Sequence, residues 1–228
     1  MIPVVDGHHH IWRQADLPWL VGPMQPRIFG PYEPIRRDYP IEEFRADLDG
    51  LGVVKSVYVQ TNWAPGAYEE EAAWVQRTAD RSGWPHAIVA YADVGADDVR
   101  PQLDRLSRYP LVHGVRMQLH WHENPQYRFA ARSDLAADPT IRRNIGRLAD
   151  YGLSFDLQVF APQMADAHLN LALAYEKVGR KHESTRHLSF YLRYDPNGPW
   201  ADFARTRLAS QRPPGDDSGK LTPFRRVR

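Results

Sequence analysis

Apolar and polar residues alternate with a period of two in five short stretches of the first 160 residues, and with a period near 3.6 between them. The first spacing marks a β-strand and the second an α-helix. Strands are predicted at 3–7, 55–60, 86–92, 111–119 and 154–160. Helices are predicted at 41–51, where Phe44, Leu48 and Leu51 recur at helical spacing, and at 68–81, 99–109 and 139–151. The second of these helices opens on a run of glutamates, which suits the positive end of the helix dipole. Asp138 stands as an N-cap before the last of them and Gly152 as its stop. Residues 13–40 carry six prolines and read as a long ordered loop.

Strand and helix alternate about every 32 residues, a spacing that builds a parallel sheet with helices outside it. Eight such units close a (β/α)8 barrel of about 250 residues, and five are present. A doubly wound sheet would carry a Gly-rich turn after its first strand. That turn is His8-His9-His10-Ile11-Trp12 here. The pattern changes after residue 160: helices are predicted at 165–178, 182–193 and 200–210, broken at Gly179 and at 195–199. The expected fold class is therefore α/β, a partial TIM-type barrel of about five units over 1–164. A helical segment follows over 165–210, then a disordered basic tail over 211–228.

Composition narrows the function. Apolar residues make up 43% and charged residues 25%, as in an ordinary globular chain. No run of 18 apolar residues is present, and the first residues lack the basic start and apolar core of a secretory leader. A cytoplasmic protein with no membrane contact is expected. The absence of cysteine excludes thiol nucleophiles, disulfides and iron–sulfur clusters. A net charge of +1 gives no reason to expect nucleic acid. Residues 205–228 carry a net +5, read as a solvated end.

The chemistry gathers at strand ends. Asp6, His8 and His10 share one face at the end of the first strand, and His9 points the other way. Two adjacent imidazoles bind a divalent metal, or polarise a carbonyl and shuttle a proton. In the fourth strand Arg116, Gln118, His120 and His122 alternate with Val115, Met117 and Leu119. Arg116 inside a barrel requires an anion: a buried carboxylate such as Asp6 or Asp156, or an acidic substrate. Asp156 and Gln158 in the fifth strand, and Tyr58, Gln60 and Asn62 in the second, are expected on the same side. His120 and His122 either join the site or sit on its rim. Trp12, Trp63 and Trp121 either wall a pocket or pack in the core.

The stretch V-V-D-G-H-H-H-I-W (4–12) resembles the opening of the amidohydrolase-related barrel proteins, whose first strand ends D-x-H-x-H-x-W. The stretches 112–125 and 153–164 resemble the same family near its sugar-lactonase and dicarboxylate-lactonase branch. The resemblance covers residues 1–165. It implies a (β/α)8 barrel that hydrolyses a lactone or a related carbonyl bond of a small acidic or sugar-derived substrate, without a nucleotide cofactor. It implies that His8 and His10 are the family's H-x-H pair, and that Arg116 meets a substrate carboxylate or oxygen. Some members hold a zinc-like divalent metal at this pair and others work without one. Two family features have no counterpart: a later strand bearing a further His, and a last strand bearing an Asp base. Asp156 is the stand-in base. The expected catalytic set is thus His8, His10, Arg116 and Asp156. The expected substrate contacts are Gln60, Trp63, Gln118, His120, His122 and Gln158.

Residues 165–198 resemble a tetratricopeptide unit, with Leu171, Ala172, Tyr175, Gly179, Leu188 and Pro196 at its offsets and Ser184 and Tyr191 departing from it. The chain then reads as a fusion of a truncated barrel with a repeat that docks a protein partner. An ordinary helical hairpin is the alternative. Open barrel edges would favour a homo-oligomer. Besides the hydrolase, a non-catalytic chimera acting through its helices is the second functional reading.

Overall fold

The computed structural model describes residues 2–27, 29–177 and 179–211. All but the first residue of the expected basic tail lies outside them. Five strands form one parallel sheet: β1 (Val4–His9), β2 (Val53–Val59), β3 (Ala87–Tyr91), β4 (Val112–Gln118) and β5 (Ser154–Gln158). Their spatial order follows the sequence, each strand beside its predecessor. That is the order of a barrel wall, whereas a doubly wound sheet reverses at a switch point. The sheet curls as a half-barrel.

Short α1 (Pro18–Val21) lies in the proline-rich stretch, followed by α2 (Ile41–Asp47), α3 (Tyr68–Ser82), α4 (Arg100–Leu106) and α5 (Pro139–Arg147). Helix α1 is not predicted from sequence. Proline ends a helix from its interior but is well suited to open one, and Pro18 occupies the first position of α1. Helix α2 stops earlier than expected, because Gly50 and Gly52 turn the chain at φ 75° and 71° before β2. Asp138 caps α5 as expected, its carboxylate accepting the Thr140 N–H at 2.8 Å.

Ile41 and Phe44 of α2, Val75 of α3, Leu103 and Leu106 of α4 and Ile141 of α5 pack on Tyr58, Ile88 and Val115 of the sheet. A smaller core ties down the 13–40 loop, with Leu17, Leu20 and Tyr32 packed around Trp63. Tyr58 corrects an expectation. It is fully buried on the helix side of the sheet rather than on the site face. Beyond Val59 the strand ends, so the period of two no longer links Tyr58 to Gln60 and Asn62.

Chain contacts divide the molecule into two compact units between Val159 and Phe160. The second holds α6 (Ala161–Lys177), α7 (Lys181–Tyr194) and α8 (Ala201–Gln211). Helix α6 starts four residues before its predicted position. Ala165, Leu169 and Ala172 pack with Leu188, Tyr191, Ala201 and Ala204. Ser184 and Tyr191, the departures from the repeat pattern, are both fully buried, and Tyr191 Oη accepts the Trp200 N–H at 3.1 Å. Among the described residues no helix is long and apolar enough to cross a membrane.

Candidate active site

The histidine run is sorted by burial. His9 stacks on Phe44 with ring centroids 3.9 Å apart and an interplanar angle of 12°. Its Nε2 lies 3.0 Å from Ser56 Oγ, and burial depresses its pKa to about 4. With His9 fixed in the core, His8 and His10 turn into the opposite cleft. His10 Nδ1 lies 2.7 Å from the Val59 carbonyl. A carbonyl only accepts, so Nδ1 carries the ring proton and Nε2 presents a lone pair. That Nε2 is 3.3 Å from His8 Nε2, and the two rings meet edge to face. Burial, and then the Arg116 charge, hold the His10 imidazole near a pKa of about 4. The same two causes lower that of His8. Both rings are therefore neutral at neutral pH. Asp6 does not line the cleft; its Oδ1 accepts the His8 backbone N–H at 3.0 Å.

Arg116 is buried and donates from Nη2 to the Gln60 carbonyl at 2.7 Å, while its Nε has no hydrogen-bond partner. Asp156 is its register neighbour on β5, yet no carboxylate lies within ion-pair distance of the guanidinium among the described residues. The internal salt bridge open as an alternative from sequence is not formed. Burial lowers the Arg116 pKa, against the fields of Asp156 and Glu71. A buried guanidinium with one backbone acceptor is a seat for an anion.

The end of β2 fixes both groups. The Val59 carbonyl holds His10 and the Gln60 carbonyl holds Arg116. Glu71 of α3 anchors the next residue: its Oε1 accepts from Thr61 N at 2.6 Å, Tyr58 Oη at 2.7 Å and Thr61 Oγ1 at 3.0 Å. Burial raises the pKa of this carboxyl. Asn62 follows in the left-handed region at φ 62°.

His8, His10, Gln60, Arg116, Gln118, Asp156 and Gln158 all line one cleft of about 830 Å³. Trp63 and His120 stand instead in an adjoining cleft of about 550 Å³, which shares Gln118 and Gln158 with the first. His122 lines neither; it is exposed, with its Nδ1 accepting the Asn124 N–H at 3.0 Å. Strand β4 ends at Gln118, and beyond it the alternation that grouped the two histidines with Arg116 no longer holds. Of the tryptophans, Trp12 walls the first cleft and Trp121 neither. Trp19 and Phe29, from the proline-rich loop, line both clefts and were not singled out from sequence. Their signal was large aromatics in a loop beside strand ends, where binding residues concentrate. Glu71 also escaped notice, because its partners belong to another element.

Two nitrogens bound to a tetrahedral zinc at about 2.05 Å stand roughly 3.3 Å apart, so the imidazole pair matches two positions of such a centre. Among the described residues no group of three or more His, Asp or Glu is placed to hold an ion. The donor set is incomplete for a metal centre.

Several proteins resemble this chain, three of them as follows. An uncharacterized protein, y4mH, of Sinorhizobium fredii is 34% identical over 179 residues, covering 78% of this chain and 60% of the relative. An L-fucono-1,5-lactonase of Burkholderia ambifaria is 25% identical over 174 residues, covering 76% and 53%. The crystal structure of an amidohydrolase from Burkholderia multivorans with bound zinc superposes with a TM-score of 0.55 at 20% identity, covering 92% of this chain and 66% of that one. The chain thus spans between about half and two thirds of the length of these proteins. The amidohydrolase family matches residues 5–186, through α6 and into α7, beyond the residue 165 at which the sequence motifs stop. From β1 to the helical unit, this chain belongs to the amidohydrolase family.

Proposed function

We propose that this chain hydrolyses a lactone, or a related carbonyl C–O or C–N bond, of a small acidic substrate. One observation carries the reading: a neutral imidazole pair with Nε2 atoms 3.3 Å apart shares a cleft with a buried guanidinium that has no carboxylate partner. Arg116 binds the substrate's anionic group. The His8 N–H, released from His10, polarises the carbonyl oxygen. Asp156 takes a proton from water as the water oxygen adds to the carbonyl carbon. The C–O bond then breaks and the leaving oxygen takes that proton. The relationship to a lactonase supports the bond type, and the buried Arg116 guanidinium without a carboxylate partner supports the acidic substrate.

The test is hydrolysis of a panel of acidic and neutral lactones by the full chain. Arg116→Met is expected to raise KM for acidic lactones about tenfold or more, with little change for neutral ones. His10→Asn is expected to lower kcat by roughly 10²- to 10⁴-fold. A His8→Ala variant that folds and keeps full activity sinks the proposal. The pH profile carries a further check. Both histidine pKa values are lowered, so activity that needs the neutral pair holds at neutral pH and falls below the ordinary histidine range, with His8 protonating before His10, which does so at about 4.

A further inference from the structure

The second cleft is unaccounted for by a small acid seated on Arg116. It adjoins the first, since Asn62, Gln118 and Gln158 line both. Its chemistry differs. Seven aromatic side chains wall it, among them Trp63, Tyr91 and Phe129, and no Asp or Glu lines it among the described residues. Burial pushes the Tyr91 hydroxyl's pKa up, so that hydroxyl is neutral and adds no charge. Three buried polar atoms of residues that line it have no hydrogen-bond partner: Trp63 Nε1, Arg27 Nε and Gln158 Oε1. Two of them are donors and only one is an acceptor. Aromatic walls favour a planar ring, which gains from stacked and edge-on contacts. The Arg27 guanidinium, in a lining without a carboxylate, favours an oxygen on that ring.

We propose that the second cleft is a subsite for an aromatic ring bearing an oxygen substituent, and that the substrate is an aryl-substituted acid whose carboxylate sits on Arg116. The inference rests on the anion seat of the proposed function and adds the second half of the substrate. A ring with hydroxyls on its whole rim fits less well, because ten of the sixteen lining residues are aromatic, proline or methionine and six are Arg, Asn, Gln or His.

The experiment is calorimetric titration of the full chain with propionate, 3-(4-hydroxyphenyl)propionate and gluconate. The aryl acid is expected to bind about 10- to 100-fold more tightly than propionate, the gain from burying one ring. Phe129 is 53% exposed and belongs to no core cluster, so Phe129→Ser leaves the fold intact. That variant is expected to cut the aryl advantage several-fold and leave propionate binding unchanged; Tyr127→Ser is the independent second variant. Arg116→Met is expected to weaken all three acids. If the aryl acid binds no better than propionate while Arg116→Met weakens both, the subsite is overturned and the anion seat stands. If gluconate gains and the aryl acid does not, the aryl assignment is likewise overturned. If Arg116→Met changes nothing, or no acid binds, the anion seat falls and the subsite with it.

Discussion

Removing the Glu71 carboxylate would strand three donors at once, because Thr61 N–H, Thr61 Oγ1 and Tyr58 Oη all converge on Oε1 in a buried place. Glu71→Ala is expected to cost about 3 kcal/mol, seen as a fall in Tm of roughly 10 °C. Glu71→Gln keeps an acceptor oxygen and is expected to recover at least half of that loss. A Glu71→Ala variant that melts with the parent would show that the clamp contributes nothing. The same residue marks how far a linear reading goes. His8, His10, Arg116, Gln118, Asp156 and Gln158 were legible because a period of two at strand ends assigns side chains to a face without knowledge of the rest. Glu71 was not, since three adjacent glutamates opening a helix look like dipole complements whichever one turns inward. Tyr58, His120 and His122 lie at or past points where a strand stops, and the alternation stops with it.

At the level of elements, the five strands and the main helices followed from periodicity, and their ends did not. Ends are set by single backbone events such as the turn at Gly50 and Gly52, which carry little pattern of their own. The α6–α7 hairpin holds a pairing that spacing on two separate helices cannot announce. His168 Nδ1 and His187 Nδ1 lie 2.9 Å apart, so one nitrogen donates and the other accepts. A proton on both would face two donors. Burial lowers the pKa of each ring, and the neighbouring His187 lowers that of His168 further. A lowered folded pKa means that the unfolded chain binds the extra protons. The stability is then full above the ordinary histidine pKa of about 6.5 and is lost as pH falls below it. Helical circular dichroism during thermal melts is expected to show the second unit weakening as pH falls through the ordinary histidine range, about 6.5, and below. A His168→Leu/His187→Leu double variant is expected to flatten that dependence. An unchanged slope in the double variant would sink this account.

For the molecule as a whole, an open sheet leaves two edges. Among the described residues β1 and β5 each have one strand neighbour, and Val4, Val5 and Leu157 are 45%, 57% and 41% exposed. Apolar side chains beside unpaired backbone groups promote strand-to-strand association. Sedimentation velocity at rising concentration is expected to show self-association, reduced by Val5→Lys. A single monomeric species throughout would mean that the edges are protected. The backbone at the end of β2 bears on redesign. Because adjoining peptide groups hold His10, and through it His8, as well as the guanidinium, the span from reacting carbonyl to bound acid is one inherited length. A variant at 59–61 that moves one end carries the other along, so the ruler shifts without being recalibrated. Substrates of another size are better sought through Gln118 and Gln158, which border both clefts and hold neither end of that span.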